Sequence, residues 1–294
     1  MTPQTIQAPV VAPDRKPRDD EIDVYGLTHP GKLRTENQDH FLICTLRKQI
    51  AVTLTSLPEA EHLLAGSERL TLLMMVADGV GGGAKGEQAS RIALEGVTKY
   101  VSRSMRCYYA AGSADDREFF EALQEGALQC HTELVRRGEE DPEYRGMATT
   151  LTLYLGVWPR AYLLQVGDSR CYLLRSGELT QVTRDQTMAQ ELIDLGVMTR
   201  AAAAGTRYER TLSSSIGGRQ TAPVVTRLDL AWDTVVLLCS DGLTKHVSDQ
   251  RIGERLRSMT SSKQVCEDLL QDALDDGGSD NISLIVRRAV PIPR

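Results

Sequence analysis

Hydrophobic positions along the chain fall into short dense runs separated by turn residues, a rhythm set mainly by strands. Ile22 to Thr28, Phe41 to Leu46, Ile50 to Thr55 and Leu70 to Ala77 have the length and aliphatic content of strands, with a polar insertion, Ser56 to Arg69, before the last. From about Glu87 two helical stretches follow. The second runs from roughly Asp115 to Arg137, where Phe119, Leu123, Ala127 and Leu134 recur at helical spacing. Strand patterning returns in Ala148 to Val157, Ala161 to Val166, Cys171 to Arg175 and Leu179 to Thr183, joined by short turns that predict an antiparallel meander. A helix over Asp185 to Val197 leads into a weakly patterned stretch. Two strands then follow, Val224 to Leu230 and Thr234 to Cys239, then helices near Asp249 to Met259 and Ser262 to Leu274, and a last strand, Ile282 to Arg288. Helices come in two pairs set between runs of strands, which predicts an α+β sandwich rather than a doubly wound fold.

Residues 1–21 carry Pro3, Pro9, Pro13 and Pro17 and no periodicity, the composition of a flexible tail. One domain is expected over 22–294, with a surface flap at about 198–221. The remaining composition mostly excludes. Thirty-four Lys and Arg against forty Asp and Glu give −6, and aromatic residues are only 5%. The basic field and stacking surfaces of a nucleic-acid binder are therefore missing. No apolar run approaches the ~20 residues of a membrane span. The six cysteines are scattered without metal-site spacing and read as buried small hydrophobes, and no signal-peptide pattern opens the chain, so a cytoplasmic protein is expected.

The acidic surplus points to chemistry. Asp78, Asp168, Asp241 and Asp280 each stand beside small or turn-forming residues at the ends of apolar strands, and Asp39 immediately precedes the strand from Phe41. Singly, each has an ordinary explanation as a turn residue. Together they supply what hard, oxygen-seeking cations such as Mg²⁺ or Mn²⁺ require, and a two-metal site needs several separated carboxylates, one of them bridging. Arg34 lies in the loop before Asp39, and its guanidinium suits bidentate recognition of phosphate.

Six ordered blocks carry a family resemblance: Arg34-Thr35-Glu36-Asn37-Gln38-Asp39, Asp78-Gly79-Val80-Gly81-Gly82, Gly146-Met147-Ala148-Thr149-Thr150, Val166-Gly167-Asp168-Ser169-Arg170, Ser240-Asp241-Gly242-Leu243 and Ser279-Asp280-Asn281-Ile282-Ser283. Their order and intervals resemble the signature of the PP2C (PPM) metal-dependent Ser/Thr protein phosphatases, especially the bacterial branch. The resemblance implies a four-layer αββα sandwich with a dinuclear Mn²⁺ or Mg²⁺ site between two antiparallel sheets. It implies that Asp78 bridges both metals, the Gly79 carbonyl completes the second, Asp241 and Asp280 hold the first, and Asp39 acts through water. Asp168, with Asp241, would hold a weaker third metal, and Arg34 would bind the phosphate. Hydrolysis of phosphoserine or phosphothreonine would proceed by direct attack of a metal-bridging hydroxide, in a monomer that acts on phosphoproteins and opposes a Ser/Thr kinase.

Three residues depart from the pattern. Val80 stands where many eukaryotic members carry a histidine, Gln38 replaces a frequent Glu, and Lys245 takes the place of an acid associated with the third metal. Other functions fit less well. Gly79-Val80-Gly81-Gly82-Gly83-Ala84 matches a dinucleotide-binding string, but a helix occupies the region where the ribose-binding acid should end a second strand. A Walker loop fails because Gly86 follows Lys85 where Ser or Thr is required. A carboxylate-based glycosidase would have few stacking surfaces. A catalytically silent scaffold that binds a phosphoprotein or kinase is the remaining alternative, and none of the five histidines has metal-ligand spacing.

Overall fold

The computed structural model describes residues 15–48, 68–82, 84–110 and 116–292. In chain order its strands and helices are β1 (Ile22–His29), β2 (Asp39–Lys48), β3 (Glu68–Val80), α1 (Ala84–Ala110), α2 (Asp116–Glu140), β4 (Ala148–Thr149), β5 (Leu151–Val157), β6 (Arg160–Val166), β7 (Arg170–Arg175), β8 (Glu178–Gln181), α3 (Met188–Asp194), α4 (Arg200–Ala203), β9 (Val224–Asp229), β10 (Val235–Cys239), α5 (Asp241–Thr244), α6 (Asp249–Arg257), α7 (Ser262–Asp275) and β11 (Ile282–Ala289). The strands form two antiparallel sheets. One has the order β1-β11-β10-β7-β8; the other runs β2-β3-β5-β6-β9, with β4 paired to the end of β3.

Period-two geometry explains why the central strands read as continuous apolar runs. Along β3, Leu73, Met75 and Ala77 face α1 and α2, whereas Leu72, Met74 and Val76 face the other sheet. Along β10, Val235, Leu237 and Cys239 pack under α6 and α7, and Val236 and Leu238 join the inter-sheet core. A strand buried on both faces has no polar face to alternate with. Ile285 of β11 and Tyr154 of β5 complete the middle layer. Helices α1 and α2 cover one sheet, with Ile92, Val97, Phe119, Leu123 and Leu134 turned inward. Helices α6 and α7 cover the other through Ile252, Leu256, Val265 and Leu269. The result is the expected αββα sandwich, and each fully buried aliphatic side chain in it is worth ~1.5–3 kcal/mol.

Several boundaries move for local reasons. The helix expected from Asp185 begins at Met188, because the Thr187 side chain accepts from the Gln190 N–H and caps it at 3.2 Å. Ser248 and Ser261 cap α6 and α7 in the same way. Residues 15–21, placed by composition in the tail, lie on the sandwich. Glu21 is 1% exposed and pairs with Arg15 at 2.6 Å, while the Arg15 carbonyl accepts from the Trp232 indole at 3.1 Å. The stretch 198–221 carries α4, a 3₁₀ turn at Arg207–Arg210 and two isolated bridges, Thr187↔Leu212 and Thr149↔Ile216. Ile216 is wholly buried. The strand Ile50 to Thr55 and most of the polar insertion fall outside the described residues. No described helix is long and apolar enough to cross a membrane.

Candidate metal centre

Five strand-end aspartates meet at one edge of the sandwich. Asp39 opens β2, Asp78 lies near the end of β3, and antiparallel register sets the two directly opposite each other. Asp168 follows β6, Asp241 opens α5 directly behind β10, and Asp280 stands just before β11. The charges of Asp39, Asp168, Asp241 and Asp280 all act on Asp78.

Each acid is fixed by bonds that the strand pattern alone does not show. The Asp78 amide donates to Thr150 Oγ1 at 3.0 Å, and its carbonyl accepts from Thr150 N and Thr149 Oγ1, both at 2.9 Å. Ser240 Oγ donates to Asp39 Oδ2 at 2.7 Å and accepts from Ser283 N at 3.0 Å, which ties the acid on one sheet to the other sheet. Asn281 fastens the Arg34 loop: its side chain donates to the carbonyls of Pro30 and Glu36 and accepts from Gln38 N at 2.9 Å. Sequence reading gave Ser240 and Asn281 no role of their own. Their position beside Asp241 and Asp280 in the motif blocks was the available clue. Gly79 is required sterically, because a Cβ there would lie 2.1 Å from the Gly86 carbonyl oxygen.

The electrostatics are those of acids gathered without enough opposing charge. Burial, reinforced by Asp241 and Asp280, pushes Asp39 up to about 7 against the pull of its serine hydrogen bonds. Burial and the four neighbouring acids push Asp78 well above the ordinary carboxylate range. Asp168 rises to about 8 through burial, Asp241 and Asp185, with Lys245 opposing. Asp280 behaves differently: burial would raise it, but Lys245 and Arg34 hold it below its ordinary value. Arg34 Nε stands 2.8 Å from Asp280 Oδ1, and Lys245 Nζ lies 2.6 Å from Asp241 Oδ2 and 2.7 Å from Asp280 Oδ2.

These residues suit divalent cations. Asp39, only 2% exposed, keeps its Oδ1 buried without a hydrogen-bond partner, and so does Asp241. Two orphaned carboxylate oxygens among like charges are what a hard cation satisfies. Among the described residues, no three acid, histidine or cysteine side chains close on one point as a finished coordination shell. The cationic groups of Lys245 and Arg34 are already seated on the acids. Val80 is exposed at the rim and brings no proton donor. His40, next to Asp39 in the chain, has its Nδ1 3.0 Å from Ser90 Oγ, and His246, five residues after Asp241, bonds Asp276 and Ser279.

Known proteins resemble this chain over most of its length. The serine/threonine protein phosphatase PstP of Mycobacterium tuberculosis is 33% identical over 222 residues, which cover 74% of this chain and 40% of that protein. The chain thus matches less than half the length of that relative. The serine/threonine phosphatase stp of Listeria monocytogenes is 29% identical over 215 residues, 73% of this chain and 83% of its own. The crystal structure of the M. tuberculosis phosphatase PstP/Ppp superposes with a TM-score of 0.73 at 27% identity, covering 92% of this chain and 99% of that one. The PstP catalytic domain in complex with two manganese ions gives 0.68 at 28% identity, with the same coverage. Residues 61–283 match the model of the family described as Protein phosphatase 2C. That span begins after Arg34 and Asp39 but takes in most of the chain, and on it the chain belongs to the protein phosphatase 2C family.

Proposed function

We propose that the protein is a Mn²⁺- or Mg²⁺-dependent phosphatase that hydrolyses phosphoserine and phosphothreonine in proteins. One observation carries this reading: five strand-end aspartates converge, with buried unpartnered oxygens on Asp39 and Asp241 and a guanidinium at their margin. Asp78 and the Gly79 carbonyl, Asp241, Asp280 and, through water, Asp39 would hold two ions, and Asp168 with Asp241 is the candidate third site. Bound divalent ions would supply Lewis-acid polarisation of phosphoryl oxygens and would acidify water toward neutral pH.

The protein's own contribution is placement and charge. Asp78 is held on both sides of its peptide, so it cannot drift from the cluster. Ser240 occupies one oxygen of Asp39 and leaves the other for the site. Arg34, anchored to Asp280 and more than half exposed, would receive a phosphate arriving from solvent. As a phosphatase of this class, the 22–294 domain would act as a monomer in the cytoplasm on phosphoproteins made by a Ser/Thr kinase. The scaffold reading draws on Val80 and Lys245 alone and leaves the retained acids unexplained.

The deciding experiment is phosphopeptide hydrolysis with Mn²⁺, with and without chelator, in the wild type and in Asp241→Ala. Chelation and the substitution should each lower kcat by on the order of 10³-fold, equal to the several kcal/mol that a catalytic metal supplies. Turnover indifferent to both would overturn the metal-dependent mechanism. No turnover from wild-type protein with Mn²⁺ bound would favour the scaffold.

A further inference from the structure

We propose that Lys245 is a tethered cation that competes with the first divalent ion for Asp241 and Asp280, raising the free-metal concentration at which the centre fills. The inference rests on the metal-dependent reading above and concerns how that site is loaded.

Lys245 sits at the C-terminal end of α5, one turn beyond Asp241, with its amide bonded to the Asp241 carbonyl at 2.8 Å. The same short helix therefore presents an acid at its first residue and a lysine that folds back over it. The ammonium bridges Oδ2 of Asp241 and Oδ2 of Asp280, at 2.6 and 2.7 Å. On Asp280 the other oxygen is also engaged, by Arg34 at 2.8 Å and by the Asn281 amide at 3.0 Å. Both oxygens of Asp280 thus already accept from cations. On Asp241 the arrangement is divided: Oδ2 serves Lys245, and Oδ1 stays buried without a partner.

An ion bound by both acids would bring two positive charges to within a few ångströms of the ammonium. If the lysine does not move, that repulsion opposes the ion directly, because the two charges meet at short range in a partly buried site. The lysine can yield. Its side chain is 33% exposed and flexible, and Asp168 lies near enough to feel its charge, which offers the displaced ammonium a second acidic neighbour. Loading then exchanges one built-in charge for an ion, whereas an acid at the same position would have recruited one.

The test is calorimetric titration of Mn²⁺ into the metal-stripped full chain, comparing wild type, Lys245→Met and Lys245→Arg, with melting curves to show that each is folded. Removing the charge in Lys245→Met should tighten the first Mn²⁺ by roughly ten-fold or more, as expected when one unit charge beside a divalent ion is lost. It should also lower the melting temperature of the metal-stripped protein. Lys245→Arg, which keeps the charge, should bind as weakly as wild type. A Lys245→Met protein that binds Mn²⁺ no more tightly than wild type overturns the inference and leaves the phosphatase reading standing. So does a Lys245→Arg protein that binds as tightly as the Met variant. Cooperative melting in every variant with no Mn²⁺ bound by any of them would overturn both.

Discussion

Arg34 is held by one acid and left open toward solvent, and that division of contacts sets its expected phenotype. Its Nε is engaged with Asp280, while the side chain as a whole is 56% exposed. Arg34→Ala should therefore raise KM for a phosphopeptide and lower kcat/KM by ~10- to 100-fold, the size of a lost charge-assisted contact. Arg34→Lys should recover only part of that, because an ammonium lacks the planar fork. Steady-state kinetics on both variants checks this, and an unchanged KM in Arg34→Ala would remove the residue from phosphate recognition. Much at this scale was legible in the sequence, since Asp39, Asp78, Asp168, Asp241 and Asp280 declared themselves by standing at strand ends. Lys245 did so only in part. Its place one turn after Asp241 can be read from the chain, but its contact with Asp280, 35 residues away, cannot. Ser240 is harder still, because its partner Asp39 lies on the other sheet and 201 residues distant.

At the scale of elements, the connection from α3 to β9 shows how a weakly patterned segment is held. Its latter part is clamped by the Thr149↔Ile216 bridge and by His131 on α2, whose Nδ1 accepts from Gly217 N at 3.1 Å and stands 2.8 Å from Thr221 Oγ1. Burial lowers the His131 pKa below its ordinary 6.5. A group depressed in the folded state contributes stability that is present above the unfolded value and lost as pH falls through the folded one. The raised acids Asp39, Asp78 and Asp168 pull the other way in both proteins, so the prediction lies in the difference: from pH ~7 to ~5 the melting temperature of wild type should move ~1–2 °C further downward than that of His131→Gln. His40 is shifted the same way by burial, and the difference between the two proteins isolates His131. Equal slopes would show that the clamp does not depend on the imidazole. These contacts leave no periodicity, because a segment held by single bridges and one histidine has no repeating face. The paired helices were legible for the opposite reason: α1, α2, α6 and α7 each bury a regular stripe.

At the scale of the whole molecule, the first described residues act as a fastening. Arg69, 8% exposed, donates to Asp19 at 2.7 Å and to the Pro17 carbonyl, and Lys16 donates to the Arg69 carbonyl. A chain beginning at Ile22 would leave that buried guanidinium without these partners, at a cost of ~3 kcal/mol or more. Its melting temperature should fall by about 5–10 °C relative to the full chain. A melt unchanged by the truncation would show that the segment adds no stability. Proline content concealed this role, because the contacts are made by backbone carbonyls and by charged side chains to residues about 50 positions away.

The strand order has a temporal consequence. β11 is the last of the described strands, yet it lies inside its sheet, hydrogen-bonded to β1 on one side and β10 on the other. Asp280 stands at its threshold, and Asn281 reaches from there to fasten the Arg34 loop near the chain's beginning. While the chain is being translated, the first sheet stays split and the acid cluster incomplete until β11 clears the ribosome. A chain cut short before Asp280 would lack both the strand that joins β1 to β10 and one of the five clustered acids.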